Sequence, residues 1–344
     1  MPASRLLSRA ILALSLLFTW QAQSATDTTS RGKVTGGIES EHPAWFKESF
    51  LELADDVEEA AEEGKHVILF MHLNGCPYCY KMLEENFKQA PHTEFIKEHF
   101  DVIQINIKGD REVAINADTT VTEKALANML KVQYTPTILF LDQENKTVLR
   151  TNGYRSVPAF KHALDYVQQK AYKRTTLAKF TEQQKPANVY SFRDHPQLKE
   201  ITNLQQAAAN PLALLFEDQA CDACDRLHDG VLKNPETRSI LENFTFVRLN
   251  GDSTTPIIDV DGNKTTPKEY ARTLGLTYRP GVVLFDRNKE VIRIDGLLYT
   301  HHFQGVLRYV GERGYEQFPG ELSKYMRTLT EKILASGKDI DITQ

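Results

Sequence analysis

The chain holds four cysteines, and they stand in two pairs of one spacing: Cys76-Pro77-Tyr78-Cys79 and Cys221-Asp222-Ala223-Cys224. Two thiols three positions apart at a helix start are suited to redox work. The first sulfur lies where free backbone N–H groups and the helix dipole favour an anion. That lowers its pKa and supplies a thiolate to attack a disulfide. The second sulfur, one turn further on, can resolve the mixed disulfide and release the partner. Zinc is the competing chemistry, but a structural site wants four ligands at modest spacing, and the two pairs begin 145 residues apart. Redox exchange is therefore the reading for both pairs, with an inert bracing disulfide as the alternative for the second. His72 and His228 lie near the pairs and are read as strand or helix-face residues, so no metal and no cofactor is expected.

Thiols of this kind need elements to hold them, and the chain supplies those elements twice. Val67-Ile68-Leu69-Phe70 leads to the first pair and Leu212-Ala213-Leu214-Leu215-Phe216 to the second. Helical stretches follow over 81–88 and 225–232. Then come Pro91 and Pro235, and strand-like runs over 101–106 and 245–250. Tyr134-Thr135-Pro136 and Tyr278-Arg279-Pro280 each precede an apolar strand. The interval from first cysteine to this proline is 60 residues in one half and 59 in the other. Phe100 corresponds to Phe244, Gly153 to Gly296, Phe160 to Phe303, and Tyr166-Val167 to Tyr309-Val310. The halves are a duplicated domain.

Each copy predicts one order of elements. A helix (42–63; 195–209) precedes a buried strand, and the cysteine pair opens the next helix. A strand and a helix lead to the proline, two strands joined by a turn (143–146; 287–289) follow, and a last helix closes the copy (157–172; 301–313). Continuous apolar runs such as 67–71 suit a central strand covered on both faces. Matching inserts over 110–123 and 252–268 precede the penultimate helix. Asp259-Val260-Asp261-Gly262-Asn263 within the second reads as a turn, because it lacks the acid that closes a calcium loop. A stretch over 321–334 repeats Leu322, Tyr325, Met326, Leu329 and Ile333 at helical spacing and predicts a packing helix.

The prolines complete the chemistry. Thr135-Pro136 and Arg279-Pro280 suit a cis-proline loop facing the cysteines, since a cis bond is readily tolerated only before proline. Such a loop leaves the preceding backbone free to pair with an extended client. Tyr78 is a candidate client contact at the loop tip. Tyr134 and Tyr278 are read as packing residues.

With 344 residues the chain exceeds one ordinary domain, and its composition is that of a soluble globular protein. A net charge of −5 gives no basic stripe for nucleic acid. At the start, Arg5 and Arg9 precede a short apolar core over 10–18, and Ala22-Gln23-Ser24 offers small residues for cleavage. The organisation expected is a signal peptide (1–24), a first domain (38–173), a linker (174–188), a second domain (189–314) and a C-terminal helix and tail (315–344).

These residues carry a family resemblance. Each half resembles the thioredoxin superfamily, and the subgroup it is most similar to is the periplasmic SoxW-type thioredoxins. Gly75-Cys76-Pro77-Tyr78-Cys79, Gly109-Asp110-Arg111-Glu112-Val113 and Val132-Gln133-Tyr134-Thr135-Pro136-Thr137 carry it, with Phe216-Glu217 and the run from His302-Phe303 to Tyr309-Val310 in the second half. The resemblance implies an α/β fold of two tandem thioredoxin-like domains, each a central mixed sheet flanked by helices. It implies a periplasmic protein exchanging dithiol and disulfide with protein clients, served by a further redox partner, a membrane-bound one included. By motif, Cys76 and Cys221 would be nucleophiles, Cys79 and Cys224 resolving thiols, and Thr135, Pro136, Arg279 and Pro280 the client-binding loops. The pattern departs at the buried acid six residues before the first cysteine, here Phe70 and Leu215, and at the tryptophan just before it, here Gly75 and Ala220. A reductase leads; an isomerase or oxidase, or a metal- or client-binding module with dispensable cysteines, are the alternatives.

The two pairs should differ. Glu217, Asp218, Asp222 and Asp225 surround the second, and carboxylates oppose a nearby thiolate. The second couple should therefore be the more reducing, with Arg279 as an offsetting counter-charge.

Overall fold

A computed structural model describes residues 30–184, 188–207 and 210–344. The predicted signal peptide lies outside the described residues. A short strand, β1 (Val34–Thr35), leads through an extended stretch to helix α1 (Leu53–Glu62). Leu53, Val57 and Ala60 fall on one buried face of α1, and Asp55 and Asp56 favour its N-terminal turn. Strand β2 (His66–His72) follows, then α2 (Pro77–Met82) running on into a π-turn over Leu83–Phe87, α3 (His92–His99) and β3 (Phe100–Asn106). The insert forms the hairpin β4 (Glu112–Asn116) and β5 (Thr119–Thr122) before α4 (Glu123–Met129). Strands β6 (Thr137–Leu141) and β7 (Thr147–Asn152) and helix α5 (Val157–Gln168) close the copy. The sheet order is β3-β2-β6-β7, with β2 and β3 parallel and the other neighbours antiparallel.

Helix α6 (Leu177–Glu182) lies in the segment read as a linker, and its Leu177 and Phe180 enter the first core. The second copy runs β8 (Leu212–Glu217), α7 (Cys224–Asp229), α8 (Pro235–Leu241), β9 (Thr245–Asn250), the hairpin β10 (Ile257–Ile258) and β11 (Lys264–Thr265), and α9 (Pro267–Thr273). It ends with β12 (Gly281–Asp286), β13 (Lys289–Ile294) and α10 (Thr300–Gly311). Its sheet, β9-β8-β12-β13, repeats the first in order and direction. Helices α11 (Gly314–Gln317) and α12 (Leu322–Ala335) follow, and β14 (Ile340–Asp341) pairs in parallel with β1.

Strand period builds both cores. Along β2, Ile68 and Phe70 face one apolar layer while Val67, Leu69 and Met71 face another. Along β8, Ala213 and Leu215 alternate in the same way with Leu212, Leu214 and Phe216. The mixed sheet flanked by helices is thus present twice. The turns at 143–146 and 287–289 join hairpin strands as the sequence suggests. Asp259 caps its turn through the N–H groups of Asp261 and Asn263. Helix α12 packs on the second core through Leu322 and Tyr325. Its Met326 thioether lies where a side chain on Gly305 would stand, so Gly305 lets α12 pack closely on α10.

Two predicted helices are corrected. The first begins at Leu53, not at residue 42, because the stretch before it pairs at sheet edges. Lys47 N–H donates to Val102 O (2.9 Å), and Leu51 O accepts from Ala114 N–H (2.8 Å). In the second copy the described residues of 195–209 hold only a 3-10 turn at Gln205–Ala207, and residues 208–209 lie outside the described chain. Lys199 N–H donates to Phe246 O (2.8 Å) and Leu204 N–H to Ile258 O (2.9 Å). The equivalent bridges Glu52–Ala114 and Asn203–Ile258 show why. Between the bridge and the next strand lie 13 residues in the first copy and eight in the second, and ten-residue α1 has no room in eight.

Candidate redox sites

The first pair sits where β2 turns into α2. Gly75 takes a φ of +72°, a left-handed value that favours glycine, and turns the chain so that Cys76 caps the helix. Pro77 follows at the first helical position, where its fixed φ is already helical. Cys76 and Cys79 are joined as a disulfide, and Cys79 N–H donates to Cys76 Sγ at 3.1 Å. Opposite stands the loop before β6, where the Thr135–Pro136 bond is cis. Cys76 Sγ lies 3.6 Å from Thr135 O and 3.4 Å from Thr135 Oγ1. Sequence-distant residues, 59 positions apart, thus meet around one sulfur.

The second pair, also a disulfide, is held differently. Helix α7 begins at Cys224 with Ala223 as its cap, so Cys221 stands before the helix in a turn. This corrects the expectation that both pairs open a helix at their first cysteine. No proline occupies the position equivalent to Pro77 to start the helix early. Arg279–Pro280 is cis. The Arg279 guanidinium lies over Gly251, where a Cβ would come within 2.9 Å of Nε, and its Nε is 3.2 Å from Asp218 Oδ2. Arg279 is therefore bound to one carboxylate of the cluster.

Two more acids of that cluster, Glu217 and Asp225, also have partners. Glu217, fully buried at the end of β8, accepts from Tyr190 Oη at 3.1 Å and lies 2.6 Å from His228 Nε2. Tyr190 itself packs with Cys221 and Cys224. Asp225 pairs with Arg193 at 2.6 Å. The expectation that His228 holds a helix face is met, with a hydrogen-bonding partner, Glu217, that the sequence alone had not supplied.

Tyr78 is not at an exposed tip. It is 6 % exposed and reaches into the second domain. Its ring stacks on Tyr299 with centroids 4.7 Å apart. Its hydroxyl accepts from Tyr299 N–H at 2.9 Å and lies 3.0 Å from His302 Nδ1. The hydroxyl keeps its own proton to donate, and a neutral His302 ring with its proton on Nε2 would accept it at Nδ1. Burial and neighbouring His301 push the His302 pKa down to about 4, consistent with that neutral ring. Burial raises the Tyr78 phenol far above its ordinary value.

The contact is reciprocal. Tyr154 bridges Leu297 in antiparallel fashion, and these are equivalent residues, each one position after the matched Gly153 and Gly296. Tyr134 packs against the second core. Arg155, from the first domain, pairs with Asp295 at 3.1 Å and lies over the Tyr278 ring at 5.0 Å. Asp295 in turn accepts from the N–H groups of Thr277 and Tyr278, so Arg155 braces the segment leading to Pro280. Tyr134 and Tyr278 are packing residues, as expected. Tyr299, His302 and Arg155 were not assigned to the sites by sequence, and Glu217 was read there only as a charge opposing the thiolate. His302 and Glu217 stood in the quoted family motifs, but their contacts run between distant positions and leave no local pattern.

The chain matches the thioredoxin-like domain family twice, over residues 53–168 and 198–311, more than half of its length. It belongs to that family, as two tandem thioredoxin-like domains. Among solved structures it is similar to a thioredoxin-fold protein from Helicobacter pylori (23 % identity, 38 % of this chain and 92 % of that chain, TM-score 0.31). It is also similar to a thioredoxin from Thermus thermophilus (24 %, 34 % and 83 %, 0.28) and to the oxidised DsbD C-terminal domain of Neisseria meningitidis (16 %, 31 % and 85 %, 0.24). No curated protein matches the chain significantly.

Proposed function

We propose that this protein is an exported thiol–disulfide oxidoreductase that reduces disulfides of protein clients in the periplasm. One observation carries the reading: a Cys-x-x-Cys disulfide stands against a cis-proline loop, with Cys76 Sγ 3.6 Å from Thr135 O. In the reduced protein Cys76 or Cys221 attacks a client disulfide, and Cys79 or Cys224 resolves the mixed disulfide. Thr135 and Arg279 offer the backbone that an extended client would pair with. The second couple is the more reducing and passes electrons to the first. Cys221 supports this by standing outside its helix, where fewer peptide dipoles favour a thiolate. A redox partner, a membrane-bound one included, recharges the chain. Export rests on the residues before position 25, whose charges, apolar core and small residues fit a signal peptide.

Insulin reduction by the full chain, set beside refolding of scrambled ribonuclease, tests the reading. The expected result is reduction that is lost when Cys76→Ser and Cys221→Ser are combined. Ribonuclease refolding without insulin reduction would make it an isomerase, and full biological function in the double variant would make the cysteines dispensable. Equilibration with glutathione of variants keeping one pair each ranks the two couples. A more oxidising second couple would reverse the proposed electron flow.

A further inference from the structure

The duplicated domains treat the space beside their cysteines in opposite ways. At the first pair three aromatic side chains meet, Tyr78 with Tyr299 and His302. The equivalent positions of the other copy, counted from the first cysteine and from Gly153 and Gly296, are Ala223, Ser156 and Ala159. All three are small. Where the first site is filled, the second opens into a cavity of about 400 Å³ lined by Cys221 and Arg279 on one side and by Ser156, Pro158, Ala159 and His162 of the first domain on the other. Ala223 lines a smaller cavity of about 160 Å³ that shares Tyr278 as a wall. The larger volume lies within the range of small-ligand pockets.

The cavity wall is mostly apolar, and several of its charges are paired within it. Arg279 is held by Asp218, and Glu182 by Lys268 and Arg272. Asp222 and Asp252 also line the cavity, and beside the redox sulfur the wall includes the small residues Ser156, Ala159 and Ala220. Its counterpart in the same molecule is occupied by a phenol ring stacked on an aromatic partner. We propose that the cavity is the client subsite of the second pair, completed by the first domain, and that it takes a peptide disulfide with an aromatic side chain next to its cysteine. This rests on the reading of Cys221 as a redox nucleophile.

The step balances without an added reagent. Cys221 thiolate attacks the peptide disulfide, the peptide S–S bond breaks, and one peptide thiolate leaves as the Cys221–peptide disulfide forms. Cys224 thiol gives its proton to solvent and attacks Cys221 Sγ, releasing the second peptide thiolate. The protein dithiol is oxidised and the peptide disulfide reduced by two electrons.

The test uses the full chain with Cys76→Ser and Cys79→Ser, so that only the second pair reacts. The protein is reduced with dithiothreitol, desalted and mixed with symmetrical disulfides of Gly-Phe-Cys-Gly or Gly-Ala-Cys-Gly, each capped at both ends. The phenylalanine peptide should be reduced about tenfold faster, the discrimination an apolar pocket can supply. Adding Ser156→Tyr and Ala159→His, the first site's residues, should bring the two rates within about twofold by removing that pocket. Equal rates on the unplugged protein, or a preference that survives plugging, would overturn the subsite while leaving the redox reading intact. Reduction of neither peptide would overturn both. If the plugged variant fails to fold, His162→Ala decides: widening the wall should raise the rate for a tryptophan peptide relative to phenylalanine, and no gain overturns the subsite.

Discussion

Glu217 has no exposed surface, and one of its oxygens meets both His228 and Tyr190. Removing one member of a buried hydrogen-bonded set leaves the others desolvated without compensation, which costs about 1–3 kcal/mol. Glu217→Ala should therefore lower the urea-unfolding free energy by about that much. Glu217→Gln keeps an acceptor oxygen and should cost about half as much. An alanine variant as stable as the parent would show that the carboxylate does not hold His228. At this scale the sequence was legible in kind and illegible in state. Cysteine spacing and the two prolines named the reacting sulfurs and their facing loops, because local spacing sets both. Glu217 and Asp218 read as charges opposing a thiolate with Arg279 as their offset, but the Glu217 partners His228 and Tyr190 were not legible, because they come from other elements.

The two helices that carry the cysteines start at different points, and that is an element-level difference with a chemical consequence. In α2 the capping sulfur accepts the Cys79 N–H, so a Cys76 thiolate would have a donor in place. In α7 the helix begins three residues after Cys221. With the resolving thiols removed by Cys79→Ser and Cys224→Ser in separate chains that also lack the other pair, thiolate absorbance against pH should show Cys76 ionising at the lower pH. Coincident titrations would mean that helix start does not set the difference. Most elements were legible because β2, β8 and the hairpin strands announce themselves by apolar runs and turn residues. The helix expected over 195–209 was not, because its helical composition was overruled by edge pairing at Lys199 and Leu204 and by the shortened path to β8.

At the level of the whole molecule, duplication let each domain build part of the other's site. The repeat was plain in the sequence, but which faces of the copies meet was not, since Tyr154–Leu297 and Arg155–Asp295 contacts follow no periodicity. The Tyr78–His302 bond makes this contact sensitive to acid. His302 is held neutral in the folded chain with a pKa of about 4 against an ordinary 6.5. A group whose folded pKa is depressed stabilises the fold fully above the unfolded value. That stabilisation declines as pH falls from about 6.5 towards 4, because only the unfolded chain takes up the proton over this window. The full difference amounts to about 3 kcal/mol. Buried His66 is depressed in the same direction, so the parent alone cannot isolate His302. Thermal unfolding of the parent and of His302→Asn, followed from pH 7 to pH 4, can. The variant should lose stability less steeply than the parent, and Cys76, freed of the Tyr78 anchor, should react faster with a thiol reagent after reduction at neutral pH. Parallel pH profiles and an unchanged Cys76 rate would mean that the second domain does not hold the first site closed through this bond.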